Sequence, residues 1–314
     1  MRILVTGAAG FIGSHTCEYL AYLGHEVVGL DNYNSYYSPR LKRHNAEILS
    51  KQHIPIETID LATDNLKETT RFAEAIVHCA AQPGISTGVA FDYYLRDNIV
   101  ATHRLLEATS TFSQLAVFVQ ISTSSVYGAI AVGNEDTIPK PISTYGVTKL
   151  AAEQLVLSYS RTDRFPTCVL RLFSVYGPRE RPDKAFPRLL LSLIDDRPFS
   201  LFEGSHSHKR SYTYVEDCAR AIGLVLANIP ACVGEILNIG SDVSVTTAEA
   251  IQLAEDIVGK PVAIDRQSPR AGDLLETMAD IHKARSLIGY SAPTSLRDGL
   301  THEYHWFAQH RNLV

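Results

Sequence analysis

The chain of 314 residues lacks the paired cysteines that mark metal sites and disulfide frameworks. Its five cysteines are widely spaced and form no Cys-x-x-Cys pair: Cys17, Cys79, Cys168, Cys218 and Cys232. Most of them stand in apolar runs, where a cysteine usually serves as a small core residue. The twelve histidines are scattered as well, so the sequence predicts no metal site.

A long apolar run and an excess of positive charge are also missing. No apolar stretch approaches the roughly 20 residues that cross a membrane. The formal net charge of -5 argues against nucleic acid as a partner. The first residues lead at once into a predicted strand, which leaves no room for a signal peptide. We therefore expect a cytoplasmic protein that binds neither membranes nor nucleic acids.

What the sequence does contain is a glycine pattern at the end of its first apolar run. Gly7, Gly10 and Gly13 follow that run and open a helix. Bulky side chains there would keep a pyrophosphate off the backbone N–H groups and the positive helix end. Asp31 closes the second apolar run, near the distance at which a carboxylate binds the adenosine ribose hydroxyls and repels a 2′-phosphate. This pattern predicts a dinucleotide site that favours NAD over NADP.

A second pattern lies further along the chain. Tyr145 and Lys149 are four residues apart, so a helix places both on one face. Following the glycine pattern in this order, the pair indicates a nicotinamide cofactor and redox chemistry at a hydroxyl or carbonyl group.

Strand and helix patterns alternate over the first 165 residues or so. We predict strands at 2–6, 26–30, 54–59, 74–78 and 115–121, and helices at 11–23, 91–110 and 145–162. Beyond residue 166 the pattern loosens, with strands at 167–172 and 235–239 and helices at 215–228, 247–258 and 295–309. This order predicts an α/β fold: a Rossmann-type, doubly wound parallel sheet with a smaller C-terminal α/β substrate-binding cap. We expect residues 1–165 to bind the dinucleotide, with segments of 210–240 returning to that domain, and residues 166–314 to bind mainly the substrate.

The ordered motifs resemble those of extended short-chain dehydrogenases/reductases, in the group of nucleotide-sugar epimerases and dehydratases. The resemblance covers nearly the whole chain and rests on the two patterns above, Asp60, Asn98 and the segments 78–81, 122–128, 171–178, 210–217 and 270–273. It implies a nucleotide-sugar substrate, with UDP as the nucleotide, and a homodimer formed through helices 91–110 and 145–162. It also implies NAD held by Gly7, Gly10, Phe11, Ile12, Gly13, Asp31, Asn32, Asp60, Leu61, Ala80, Ala81, Asn98, Ser122, Tyr145, Lys149 and Phe173.

The same resemblance assigns the catalytic roles. In the family a tyrosine phenolate removes the proton from a sugar hydroxyl while the carbon is oxidised, which gives this role to Tyr145. A free tyrosine has a pKa of about 10, and the positive charge of Lys149 favours its phenolate. Lys149 also holds the nicotinamide ribose, and Thr123 fixes the sugar hydroxyl close to Tyr145.

The residues after Thr123 separate the chemistries of the group. Related dehydratases carry an Asp-Glu pair at this place, and related decarboxylases carry a glutamate. This chain has Ser124 and Ser125, which leaves elimination without its acid and base. Oxidation, rotation of the keto sugar and reduction on its other face remain, so we expect an epimerase.

The segment 175–186 resembles the pattern of UDP-glucuronate 4-epimerases, whose second arginine in this loop pairs with the sugar carboxylate. That arginine is Arg181. The resemblance places Ser124, Ser125, Ser174, Arg181, Arg210, Arg270 and Asp273 in the substrate site. Ser86 stands where relatives often have arginine, and Ser174 where threonine is usual. A neutral substrate, UDP-glucose or UDP-N-acetylglucosamine, therefore stays open, as does a non-catalytic NAD-binding regulator.

Overall fold

A seven-stranded parallel sheet forms the centre of the computed structural model, which describes residues 1–84, 88–163, 165–269 and 274–314. The strands are β1 (Arg2–Thr6), β2 (Glu26–Asp31), β3 (Ile56–Thr58), β4 (Ala75–His78), β5 (Val117–Thr123), β6 (Ile130–Ala131), β7 (Thr167–Leu172), β8 (Val175–Tyr176), β9 (Phe199–Phe202), β10 (Lys209–Arg210), β11 (Thr213–Tyr214), β12 (Ile236–Ile239), β13 (Val245–Thr246), β14 (Ile264–Gln267) and β15 (Glu276–Thr277).

The α-helices are α1 (Phe11–Tyr22), α2 (Pro39–Lys51), α3 (Leu66–Thr70), α4 (Phe91–Tyr94), α5 (Ala101–Thr109), α6 (Thr144–Asp163), α7 (Ala185–Ile194), α8 (Val215–Ala227), α9 (Ile229–Cys232), α10 (Thr247–Val258), α11 (His282–Ile288) and α12 (Leu296–Gln309). A π-helical stretch, Leu95–Val100, joins α4 to α5.

The central sheet has the strand order β12-β7-β5-β4-β1-β2-β3. Apolar runs such as Ile3, Leu4 and Val5 are fully buried because helices cover both faces of the sheet. The chain moves outward from β1 through β2 to β3 and then crosses to β4 on the other side of β1. Ligands bind in the crevice at the carboxyl ends of the strands where the order reverses in this way.

The C-terminal half adds smaller sheets beside those strand ends. One has the order β13-β10-β15-β6, and others pair β11 with β8 and β14 with β9. Their helices pack around a separate core that includes Phe186, Leu190, Phe199 and Phe307. These elements form the wall opposite the central sheet.

The predicted α/β fold with a Rossmann-type parallel sheet is confirmed. Strands β7 and β12 lie in the central sheet, while the exact division into two domains stays a prediction. Helix α2 was not predicted, although Leu41, Asn45 and Leu49 are buried at a spacing of four and Pro39 opens it. In the described ranges, no helix combines the length and the apolarity needed to span a membrane.

Candidate active site

One cavity of about 630 Å³ lies between the carboxyl ends of the central strands and the C-terminal wall. It begins at the glycine turn before α1, passes Tyr145 and Lys149, and ends at Arg188 and β9. Its length brings predicted cofactor residues and predicted substrate residues into one continuous space.

The glycine turn leaves no room for side chains. Gly7 has a φ of +67°, and a Cβ there would lie 2.8 Å from the backbone nitrogen of Ala80. A Cβ on Gly13 would lie only 2.1 Å from the carbonyl oxygen of Gly7. Gly10 stands at the N-cap of α1 and brings no side chain to its first amides, which border the cavity. A helix start shaped in this way is suited to a pyrophosphate.

Asp31 sits at the end of β2 with both carboxylate oxygens in defined positions. The N–H of Ala9 donates to Oδ2 at 3.0 Å, and the N–H of Tyr33 donates to Oδ1 at 2.8 Å. Burial raises the pKa of this carboxyl, and the charge of Lys42 and the two hydrogen bonds oppose the rise. Each oxygen keeps a lone pair for a further donor, as a ribose hydroxyl would be.

Asp60 lies nearby, at the same edge of the sheet. The N–H of Ala62 donates to Oδ1 at 3.0 Å, and the amide of Asn32 donates to Oδ2 at 3.1 Å. Arg96 pairs with the same carboxylate. Asn32, Asp60 and Leu61 all border the cavity, next to the Asp31 end.

Tyr145, Lys149 and Thr123 meet in the middle of the cavity. The Lys149 ammonium donates to the carbonyl oxygen of Ile121 at 2.6 Å, and burial lowers its pKa to about 8. Burial raises the pKa of Tyr145, while its hydrogen bond with Thr123 and the charge of Arg181 oppose that rise. The side chains of Tyr145, Thr123 and Lys149 thus border one part of the cavity.

A buried ion pair fixes the helix that carries Tyr145 and Lys149. Glu153 lies one turn after Lys149 on α6, and Arg171 on β7 contacts both of its oxygens, at 2.6 and 3.1 Å. The hydroxyl of Ser122 donates to the same carboxylate at 2.9 Å. Arg171 also donates to the Tyr127 hydroxyl at 2.8 Å. Bidentate pairs of this kind hold direction as well as distance, so α6 is tied to the sheet beside Lys149.

The two arginines of the loop between β8 and α7 point to different places. Arg181 lies in the cavity, 9% exposed, with its guanidinium carbon 5.4 Å from the centre of the Tyr36 ring. Its Nε is 3.4 Å from Asp183, and its Nη1 has no hydrogen-bond partner among the described residues. Arg179 instead pairs with Glu18 on α1. Of these two arginines, only Arg181 borders the cavity.

Residues 3–240 match the NAD dependent epimerase/dehydratase family. The chain belongs to this family. A protein of Bacillus subtilis strain 168, the uncharacterised UDP-glucose epimerase YtcB, is 41% identical over 96% of each chain. A UDP-glucuronate 4-epimerase of Thermodesulfobacterium geofontis is 31% identical over 99% of this chain and 97% of its own. The crystal structure of the UDP-glucuronic acid 4-epimerase of Bacillus cereus with UDP-glucuronic acid and NAD superposes with a TM-score of 0.94, at 38% identity, and covers 98% and 99% of the two chains.

The cavity of this epimerase/dehydratase family member fits the family's cofactor, NAD. A Cβ on Gly7 or Gly13 would fill the glycine turn, and the Asp31 carboxylate borders the same cavity. The predicted residues that border the cavity are Gly7, Gly10, Phe11, Ile12, Gly13, Asp31, Asn32, Asp60, Leu61, Ala80, Ala81, Ser122, Thr123, Ser124, Ser125, Tyr145, Lys149, Ser174, Arg181 and Arg210.

Two predicted cofactor residues lie behind the cavity wall. The amide of Asn98 accepts from the N–H of Gln82 at 2.7 Å and donates to Thr148 at 3.0 Å, so it braces the loop after β4. Phe173 is fully buried beside the Tyr127 ring, between cavity residues 172 and 174. Ser86 and the predicted substrate residues Arg270 and Asp273 lie outside the described residues.

Several cavity residues were not predicted from the sequence. Lys42 on α2 donates to the carbonyl and side-chain oxygens of Asn34 at 2.9 and 2.7 Å and lies 4.8 Å from the Tyr37 ring. Glu180 and Arg188 border the far half of the cavity. The helical spacing of the buried residues in α2 could have predicted the helix that carries Lys42. No local sequence pattern predicts the conformation of the arginine loop.

Proposed function

We propose that this protein catalyses the NAD-dependent epimerisation of UDP-glucuronate to UDP-galacturonate at carbon 4. The single observation that carries the proposal is the buried cation of Arg181, in the same cavity as Tyr145, Thr123 and Lys149. A carboxylate on the sugar is the natural partner for a guanidinium in such a place. The T. geofontis relative and the B. cereus structure, named for this activity, support the choice.

NAD would lie along the glycine turn, with Asp31 on its adenosine ribose and Lys149 on its nicotinamide ribose. When bound, it supplies the oxidant that takes the hydrogen from carbon 4 and later returns it. The turn contributes backbone N–H groups and the positive end of α1 to the pyrophosphate. Asp31 repels a 2′-phosphate, which selects NAD over NADP.

Tyr145 acts as the general base that takes the proton of the sugar's 4-hydroxyl. Burial raises the pKa of its phenol, so the phenolate needs nearby positive charge. Lys149, one turn along the same helix, supplies that charge together with the bound nicotinamide. Thr123 bonds the tyrosine hydroxyl and fixes where the sugar hydroxyl must lie. On reduction from the other face, Tyr145 returns the proton.

Arg181 has a second task, because the intermediate is a 4-keto uronic acid. Such a β-keto acid loses carbon dioxide when its carboxylate stands perpendicular to the carbonyl plane. Two parallel hydrogen bonds from a guanidinium hold a carboxylate away from that alignment. The hydroxyls of Ser124, Ser125 and Ser174 border the same cavity and supply further short donors. No carboxylate follows Thr123 directly to drive elimination.

The test is to incubate the purified protein with UDP-glucuronate, UDP-glucose and UDP-N-acetylglucosamine and to separate the products by chromatography. We expect UDP-galacturonate from the first and far slower turnover of the neutral sugars. A preference for UDP-glucose, as the name of the B. subtilis relative would suggest, would overturn the choice of substrate. A protein that retains NAD but turns over none of the sugars would favour a non-catalytic regulator. Such a regulator would need none of Thr123, Tyr145 and Lys149.

We also propose a homodimer formed through α4, α5 and α6. Phe91, Tyr93 and Val147 leave large apolar side chains 54%, 58% and 50% exposed on these helices. Because α4 and α6 pack against each other, these exposed apolar side chains favour this surface as the interaction site. Light scattering after size exclusion should give twice the chain mass, and Tyr93→Asp should shift it toward the monomer. A monomeric wild type would refute the dimer. The cytoplasmic location stays a prediction.

A further inference from the structure

The loop that carries Arg181 is docked directly onto the C-terminal helix α12. The hydroxyl of Tyr176, the last residue of the strand that leads into this loop, donates at 3.3 Å to the carbonyl of Ser295, the N-cap of α12. Gly299 lets the two elements approach, since a Cβ there would lie 2.3 Å from the Tyr176 hydroxyl oxygen. The position of the loop, and so of Arg181, therefore depends on how it meets α12.

Two carboxyl groups are buried at this contact. Glu180, the residue before Arg181, is 2% exposed, and Glu303 on α12 is 0% exposed. Neither oxygen of Glu303 meets a hydrogen-bond donor in good geometry within the described part of the chain. The Lys184 ammonium is 3.8 Å from Glu180 and neutralises one charge at most. Two bare carboxylates offer only acceptors to each other, whereas one proton turns the pair into donor and acceptor.

The charges around Glu180 agree with a bound proton. Burial raises its pKa to about 7, and the charges of Lys184 and Arg181 limit that rise. The hydrogen bond with Glu303 also limits it, whereas Asp183 adds to it. The effect of burial on the pKa of Glu180 is therefore larger than the opposing effect of the two neighbouring cations.

The surroundings of Glu303 act in the same direction. Burial and the charge of Glu180 raise its pKa, while Lys184 and one backbone N–H oppose the rise. The phenols of Tyr176 and Tyr214 also face it, and burial raises their pKa values so that both stay neutral. The pair thus holds at most one negative charge at neutral pH, as closely placed carboxyls do.

We propose that Glu180 and Glu303 share a single proton, and that this proton holds the loop in the place where Arg181 reaches the substrate carboxylate. Both glutamates are positioning residues, since they act through Arg181. The docking of the loop does not depend on the substrate. Only the consequence for substrate binding rests on the proposed function.

The direction of the pH effect follows from the raised pKa values. A carboxyl that holds its proton more firmly when folded stabilises the fold at low pH and loses that contribution as the pH rises. Glu180 ionises first, near pH 7, and its negative charge raises the pKa of Glu303 further. The shared proton leaves only as the pH rises through the pKa of Glu303, and two buried charges then repel each other across the loop contact. The loop should then detach from α12 more often, and the KM for UDP-glucuronate should rise while kcat changes less.

Hydrogen exchange of the amides in residues 177–184, corrected for intrinsic rates, measures docking without any substrate. In the wild type we expect protection to stay constant near pH 7 and to fall by up to about tenfold per pH unit once the pH passes the raised pKa of Glu303. Glu303→Gln keeps a donor and acceptor but cannot lose a proton, so its protection should stay flat. Glu57→Gln, an exposed carboxyl on β3, is the matched control and should behave as the wild type. If Glu303→Gln does not fold, Glu180→Gln replaces it.

Flat protection in the wild type, or an equal fall in Glu303→Gln, would overturn the proposal. The KM for UDP-glucuronate, followed over the same pH range, should track the loss of protection in the wild type and stay constant in Glu303→Gln. A KM that rises equally in both would overturn it as well. If the protein does not turn over UDP-glucuronate, the hydrogen exchange result still decides, so failure of the proposed function is seen separately.

Discussion

Replacing Arg181 by alanine should cost the enzyme its acidic substrate while leaving its nucleotide binding largely intact. The Arg181 side chain is 11% exposed, so its pairing with a carboxylate takes place almost without water. Losing one side of such a pair costs about 2–5 kcal/mol, much of it from the charge left unpaired. Since about 1.36 kcal/mol is a factor of ten, kcat/KM for UDP-glucuronate should fall about 30-fold to several thousandfold.

The assay compares kcat/KM for UDP-glucuronate with the Kd for UDP alone. Arg181→Lys should restore only part of the activity, because a point charge does not replace a planar fork. Arg179→Ala is the matched control in the same loop: it removes the pair with Glu18 and should lower stability without changing the preference for UDP-glucuronate over UDP-glucose. If Arg181→Ala loses UDP affinity in step with activity, Arg181 binds phosphate and the reasoning is refuted.

Three further predictions follow from the cofactor half of the cavity. Gly13→Ala should purify without NAD, because its Cβ would lie 2.1 Å from the carbonyl oxygen of Gly7. The control Gly24→Ala is also strained, at a φ of +82°, but its Cβ lies in open space, so this variant should keep its NAD. Chromatography of the released nucleotide measures the NAD content, and a full content in Gly13→Ala would contradict the assigned NAD site. Asp31→Ala should weaken the binding of NAD by about 1.5–3 kcal/mol for each charge-assisted hydrogen bond that is lost, and should reduce the difference in affinity between NAD and NADP. Binding titrations that give unchanged affinities for both cofactors would contradict this role. Because burial lowers the pKa of Lys149 to about 8, the free energy of unfolding of the NAD-free protein should rise with pH between about 8 and 10.4, by at most about 1.4 kcal/mol per unit. Urea unfolding should show this rise in the wild type and not in Lys149→Met. An equal slope of unfolding free energy against pH in the two proteins would contradict the prediction.

The cofactor half of the site could be predicted because its residues follow directly from local structure. A strand end, a tight turn and a helix start fix the glycines, and helical spacing fixes Tyr145 against Lys149. Asn98 shows the limit of this reasoning. The sequence shows that Asn98 belongs to a motif. In the structure, however, its amide forms hydrogen bonds with Gln82 and Thr148 behind the cavity wall.

The substrate half was harder to predict because long-range contacts shape it. Arg179 and Arg181 are identical residues two positions apart, and only the fold sends one to α1 and the other into the cavity. Arg179 has a positive φ of 70°, and no sequence pattern predicts that conformation. The pair of Glu180 and Glu303 was equally hard to predict. The two residues are more than a hundred positions apart, and charged residues are normally expected on the protein surface.

The most direct test of the central claim uses UDP-glucuronate that carries deuterium at carbon 4, with mass spectrometry and NMR of the product. Transient oxidation and return within one site predict UDP-galacturonate with the deuterium still on carbon 4, even in ordinary water. Tyr145→Phe should lower the rate about 10²–10⁴-fold, because the general base is gone. Loss of the label to solvent, or near-normal turnover in Tyr145→Phe, would contradict the account.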